Sequence, residues 1–486
     1  MPLIPSSFRQ FILKEKRNRN YLLIAVLAAI TQLIIFKLLY PYADFFSDSY
    51  SYIRAAASHY DVSIWPIGYS KFLWLFHQVT YSDTALVAFQ YLFVEAMALY
   101  FFFTVCYFYQ PTTQISNIIF IFLFFNPLTL YLSNYVSSDA PFLALSLWWV
   151  VQLLRIIHRP RPYQVITHAL LVAVAFTFRY NAMYYPVITA IAFILSRHKV
   201  PYKIVGIVLP LLLIATFVNY TRNKAYDLTG TKQFSVFSGW QLANNALYMY
   251  PYIQVKEQPP VECREFHNMV NAYFDSIPSE FKTVSPRDGA FYIKYPTAPL
   301  KQYLEEHFNW EKDSTGGILA WGSVSPIYGS YGSFLIRHYP VAFARYFLLP
   351  NALNYCLPPL EKLEVYNTGS DNVSATASSW FHYPGTKVKV VSGTIQGAIL
   401  LLCPAIFLVI NLLFLGSLVV WIKTKWRKSN EPDFKYALLL MVALLVVNAA
   451  FSVMASPIVF RYQVFPMMIC FSFLMLLIEK LEVLEK

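Results

Sequence analysis

The stretch PYADFFSDSYSYIRAAASHY carries two carboxylates, Asp44 and Asp48, directly after a long apolar run. Four more ionisable side chains stand in equally apolar surroundings: Lys71 in GYSKFLWLF, Asp139 in SNYVSSDAPF, Arg179 in FRYNAMYYP and Arg461 in SPIVFRYQVFP. Charges at membrane depth are costly, so they face a cavity or one another. A guanidinium offers phosphate a forked pair of donors, and an ammonium offers a point charge. A carboxylate beside them suits a general base that takes a proton from an attacking hydroxyl, or a ligand for a hard divalent cation such as Mg or Mn. Together these are the parts needed to move a group away from a lipid phosphate, with the cations stabilising charge that develops on the leaving phosphate.

The elements that must position them are membrane helices. The chain has 486 residues, 57% hydrophobic and only 13% charged, and several apolar runs reach the roughly 20 residues that cross a bilayer as helix. The expected class is an all-α polytopic membrane protein of about ten spans. The candidate spans are Tyr21 to Tyr40, Thr84 to Phe108, Ile115 to Tyr135, Pro141 to Ile157, Tyr163 to Phe178, Tyr184 to Leu195, Ile204 to Tyr220, Ile395 to Trp421, Tyr436 to Ala455 and Val464 to Ile478. The fifth and sixth are short and read as one broken hairpin. The first is long and lacks a small-residue cleavage pattern, so it reads as an anchor rather than a removed signal.

Orientation follows from Lys and Arg in the short connections. KEKRNR, RIIHRPRP, RHKVPYK and KTKWRK all fall on the cytoplasmic side if the N-terminus is inside. Essentially the whole net charge of +12 lies in those segments. It is topological, and it argues against a nucleic-acid partner, which needs a clustered basic face. The six ionisable residues then share the opposite, extracytoplasmic face. Three segments result: a transmembrane module over 1–220 with its first outer loop at 41–83, a mostly helical extracytoplasmic domain over 221–392, and C-terminal spans over 393–486. Within the middle segment, the run around Arg337, His338 and Arg345 suits helices lying at the membrane interface. The five cysteines have no metal spacing; Cys263 and Cys356 read equally well as a pair or as free thiols. No repeat of 20 to 50 residues is seen.

Each of these side chains also has a plain structural role. Asp48 suits the first turn of a helix with Ser47 as its cap, Asp139 before Pro141 suits a helix start, and Asp44 suits a loop. Lys71 suits a side chain reaching for headgroups, and Arg179 and Arg461 suit headgroup phosphates. Glu95 and Lys37 suit packing partners within spans. Tyr52 and Trp65 belong to the aromatic belt or line a sugar site.

The motifs resemble those of the GT-C superfamily of membrane glycosyltransferases, especially the branch with protein O-mannosyltransferases and lipid A aminoarabinose transferases. Asp48, Tyr52 and Ala56 match a D-x-x-x-Y-x-x-x-A pattern in the first outer loop, and WPIGYSKFLWLF matches a P-x-G turn with Lys71 nearby. SSDAPFLAL reproduces a D-A-P context at Asp139. Arg179 with Asn181 matches an R-x-N turn, and Arg461, Tyr462 and Pro466 match R-Y-x-x-x-P. The resemblance implies a GT-C-like bundle in a bacterial inner membrane, acting on the extracytoplasmic side. It implies an inverting transfer from a polyprenyl-phosphate sugar donor to a hydroxyl of a lipid, glycan or protein acceptor. Asp48 would be the base and Asp139 would position sugar or acceptor. Lys71, Arg179 and Arg461 would hold the phosphate, with Asp44, Tyr52, Asn181 and Tyr462 lining the site. The competing readings are an oligosaccharide ligase or polymerase using a lipid pyrophosphate, a lipid or solute transporter, and a noncatalytic assembly protein.

Overall fold

A computed structural model describes residues 7–277, 284–309, 317–424, 426 and 432–482. Among these the chain is mostly helical, without a β-strand. Eight helices are long and apolar enough to cross a bilayer: Lys16–Leu39, Asp83–Tyr109, Thr113–Asn134, Asp139–His158, Val200–Thr229, Ile395–Thr424, Pro432–Ala455 and Val464–Leu481. Two shorter apolar helices, Tyr163–Phe178 and Tyr180–Leu195, fill the place of the expected short hairpin. The chain is a multi-pass membrane protein, with eight full-length candidates and a short pair where ten spans were expected.

Local sequence explains where these helices break. Within Thr113–Asn134 the run stops at Asn126, which caps the next turn by accepting the Leu128 N–H at 3.1 Å, and Pro127 supplies a first helical residue that needs no donor. Ser82 caps the second span by accepting the Ala85 N–H at 3.2 Å. The helix Asp139–His158 is enclosed by its neighbours, whereas Lys16–Leu39 and Val200–Thr229 leave most of their surface outward. The best-shielded helix is therefore the one that opens on Asp139.

Beyond the bundle lies a second apolar core, built by Ser238–Leu247, Arg264–Ser276, Pro299–His307 and Ile318–His338 and centred on Trp240, Phe266, Tyr328 and Phe347. Its start differs from the sequence-based boundary at 221, because the Val200–Thr229 helix runs on until Gly230 ends it. The later part of the 221–392 segment does not join this core. Leu363, Tyr366, Val373, Ala377, Phe381 and Val388 pack into the bundle. That return brings the run LPPLEKLEVY back to the end of the membrane helices. Cys263 is a buried free thiol and Cys356 an exposed one, so the two are not paired.

Candidate functional site at the end of the bundle

The first loop is clamped before it reaches the site. Asp44 exchanges backbone hydrogen bonds with the third span: its N–H donates to the Asn134 carbonyl at 2.9 Å, and its own carbonyl accepts the Val136 N–H at 3.0 Å. Its carboxylate is fully buried and accepts the Asn367 N–H at 2.6 Å. Burial pushes this carboxyl up to about 7, against the pull of that N–H. Asp44 is a fastening between loop, bundle and the returning segment, and it does not line the cavity.

The short helix Ser47–Ala57 starts just beyond this fastening, and its first turn presents Asp48 to a cavity of about 740 Å³ between the bundle end and the second core. That volume lies within the roughly 300–1,000 Å³ usual for ligand sites. Asp139, Arg179, Asn181, Arg461, Tyr462 and Tyr52 line the same cavity. Every expected site residue except Asp44 and Lys71 is thus gathered at one place.

Arg461 is the centre of the arrangement. Its Nη1 donates to Asp139 Oδ2 at 3.4 Å, and its Nη2 donates to the Tyr462 hydroxyl at 3.0 Å and lies 3.7 Å from Asp48 Oδ2. Its guanidinium also stands over the Phe46 ring, 4.7 Å from the centroid. Its Nε has no hydrogen-bond partner among the described residues. Arg179, the residue that ends the Tyr163–Phe178 helix, pairs with the other Asp139 oxygen.

The two carboxylates are held in different ways. Asp139 is almost wholly buried; it meets both guanidinium groups and accepts the Ser137 hydroxyl at 3.0 Å. Asp48 is more open, and its cations stand at 3.7 and 3.8 Å, beyond hydrogen-bond range. Among the described residues only the Ser47 hydroxyl reaches it, at 3.4 Å. Asp139 is saturated, whereas Asp48 keeps most of its accepting capacity.

The second cation at Asp48 is Lys362, which sequence reasoning did not single out. Its ammonium also sits 4.6 Å from the Phe46 centroid, and burial lowers its pKa while Asp48 offsets part of that effect. Lys362 has φ of 66°, a left-handed conformation that is uncommon for a side chain of this size. Two contacts hold that turn: the Tyr135 hydroxyl donates to the Lys362 carbonyl, and the Phe460 N–H donates to the Pro359 carbonyl at 2.9 Å. The second contact ties the Lys362 turn to the Arg461 turn. The left-handed φ has no signature in LPPLEKLEVY, where the residue is lysine rather than glycine or asparagine.

Lys71 takes no part in this cluster. The helix Ile67–His77 turns it to an exposed position, where it pairs with Asp61 at 3.4 Å. Gly68 at the head of that helix does have a role: a Cβ there would meet the Thr177 carbonyl, so only glycine lets the turn approach the end of the Tyr163–Phe178 helix this closely. Arg337, His338 and Arg345 do not line the cavity.

The phenols differ in character. Burial pushes Tyr52 up to about 12, and its hydroxyl shares a 3.0 Å hydrogen bond with Ser138. Burial alone would also raise Tyr462, but the guanidinium groups of Arg461 and Arg179 outweigh it and hold this phenol below its usual value.

Among the described residues no group of three or more His, Cys, Asp or Glu side chains is placed to hold a metal ion. Asp48 and Asp139 each face cations, so the donor set does not fit a divalent ion's oxygen shell. Three cations against two carboxylates leave one positive charge over, which fits an anionic ligand.

Compared with known proteins, the chain matches no family model, no curated protein and no solved structure. The shown class is therefore the multi-pass helical membrane protein described above, with a charged cavity at one end of its bundle.

Proposed function

We propose that this protein is a GT-C-type inverting glycosyltransferase that moves a sugar from a polyprenyl-phosphate donor to an acceptor hydroxyl on the extracytoplasmic face. The observation that carries the reading is the contrast between the two carboxylates: a saturated Asp139 that anchors Arg179 and Arg461, and an under-coordinated Asp48 facing the cavity. The excess positive charge suits a phosphodiester, and the motif resemblance points to the same residues.

In this reading the donor phosphate takes Lys362 and Arg461, the cations now loosely paired with Asp48. Asp48 is thereby released towards the acceptor. The acceptor oxygen forms its bond to the anomeric carbon as the bond from that carbon to the phosphate oxygen breaks. The electron pair leaves on the phosphate, and the hydroxyl proton passes to Asp48. Attack opposite the leaving phosphate inverts the anomeric centre. Asp139 holds the guanidinium groups in place, and Asn181 and Tyr462 line the sugar site.

Transport is less well supported, because the charged residues gather at one end of the bundle rather than at a midplane between two similar halves. The test is to purify the protein, identify the lipid-linked sugar that accompanies it or is consumed by it, and repeat the assay with Asp48→Asn. Loss of transfer in a folded variant supports the reading, and near-normal turnover ends it.

A further inference from the structure

The cavity has a second end that the proposed donor chemistry does not use. There the wall comes from the second core and the first outer loop. Trp65 meets Phe237 at 4.6 Å between ring centroids, Phe237 stacks on Trp321 at 5.9 Å, and Trp321 rests on Trp240 at 4.2 Å. The Trp240 indole N–H donates to the Trp321 carbonyl at 3.0 Å, which fixes the platform from behind. Trp65, Phe237 and Trp321 are half-buried and line the cavity.

Lys301 stands over this platform, its ammonium 4.5 Å from the Trp321 centroid and 5.4 Å from Trp240. It too lines the cavity. No ion pair of Lys301 occurs among the described residues; Lys294, by contrast, is matched by Glu361. Burial lowers the Lys301 pKa, with Glu305 opposing. A partly desolvated ammonium beside aromatic faces is the donor that an incoming anion would pair with most strongly. Beside it Gln241, held by a 2.8 Å hydrogen bond to Asn245, adds an amide to the same wall.

We infer that this end of the cavity is the acceptor subsite and that it takes an anionic sugar, a pyranose bearing a carboxylate or phosphate. The ring stacks on Trp65, beside the Lys301 ammonium that covers Trp321, and its charged substituent pairs with Lys301. Aromatic faces match the C–H face of a pyranose, and the sparse polar groups match its hydroxyls and charge. A lipid tail would leave Lys301 and Gln241 unanswered, and a serine or threonine side chain is too small to cover the platform. The inference rests on the transferase reading for the word acceptor, but binding can be measured without donor.

The experiment is ligand-observed NMR on the full-length protein in nanodiscs, with methyl glucuronoside, glucose 6-phosphate, methyl glucoside and a serine-rich peptide as probes. The two anionic sugars are expected to bind, and the tighter one identifies the substituent. Lys301→Gln should weaken them about tenfold, Lys301→Arg should retain them, and Trp321→Ala should abolish the signal. If Trp321→Ala does not fold, the two Lys301 variants still decide the matter. Equal binding of methyl glucoside with no effect of Lys301→Gln would overturn the inference, as would binding of the peptide alone. Lys71→Ala, outside the cavity, should bind the anionic sugars normally. Persistent transfer in Asp48→Asn would sink the transferase reading while leaving the subsite intact.

Discussion

Arg461 lies between two carboxylates, donating to Asp139 at 3.4 Å and standing 3.7 Å from Asp48 without a hydrogen bond. The nearer carboxylate meets a guanidinium on each oxygen, whereas the farther one accepts the Ser47 hydroxyl and is attracted by its cations without a hydrogen bond from them.

Replacing Asp48 with Asn should therefore cost catalysis and little else. Transfer from a polyprenyl-phosphate sugar is expected to fall by about 10²- to 10⁴-fold, the usual worth of a general base. The melting temperature in detergent should stay close to that of the parent. A large drop in melting temperature would instead make Asp48 a structural residue.

Asp139→Asn should behave in the opposite way. It strands Arg179 and Arg461 in a buried setting, and removing one partner of such a group costs about 3–5 kcal/mol. A clear fall in thermal stability and in yield of monodisperse protein is expected. Preserved stability would show that the guanidinium groups find other partners.

Lys362→Asn keeps a residue that tolerates the left-handed turn and removes the ammonium. Donor affinity, measured by competition with a polyprenyl phosphate, should weaken about tenfold while stability holds. Lys71→Ala should leave that affinity unchanged, since its partner is Asp61. The reverse pattern would restore Lys71 to the phosphate site.

Asp44 makes stability depend on pH. Its carboxyl sits near 7 in the fold against an ordinary value of 3.8, so between those limits the folded chain keeps a proton that the unfolded chain has released. Its contribution to stability is greatest below about pH 4, declines as the pH rises through about 7 and is level beyond. Asp44→Asn should remove that decline, seen as the difference between melting curves of the two proteins across this window. Parallel curves would mean that the carboxyl ionises freely in the fold.

Gly289 should resist substitution. Its φ of +71° with extended ψ is open almost only to glycine, and a Cβ there would press on Glu361 where it meets Lys294. Gly289→Ala is expected to cost about 1–3 kcal/mol, read as a lower melting temperature. An unchanged value would show that this seam between the second core and the Lys362 turn yields easily.

The sequence revealed most where apolar context made a charge conspicuous. Asp48, Asp139, Arg179 and Arg461 each interrupt a membrane-like run, so their cost alone marked them. Lys362 carried no such mark: its loop is ordinary in composition, and its place depends on a backbone turn that two distant hydrogen bonds hold. Lys71 misled because nearness to a motif in sequence does not fix which way a helix turns a side chain. Hydropathy likewise located the spans, but nothing in the Tyr- and Pro-rich segment foretold that residues around Tyr366 and Phe381 would return to the bundle while Trp240 and Tyr328 built a core of their own.

Asp139 and Arg461 are 322 positions apart, which gives the site an order of assembly. During synthesis Asp48 and Asp139 reach the membrane well before this guanidinium has been made, and Arg179 alone can meet Asp139 in the interval. The charged centre is closed only when the Phe460–Tyr462 turn arrives and hooks onto Pro359. In the proposed transferase, a nascent chain would therefore be inert until the segments around Arg461 are placed, and the step that closes the charged centre would also be the step that arms it.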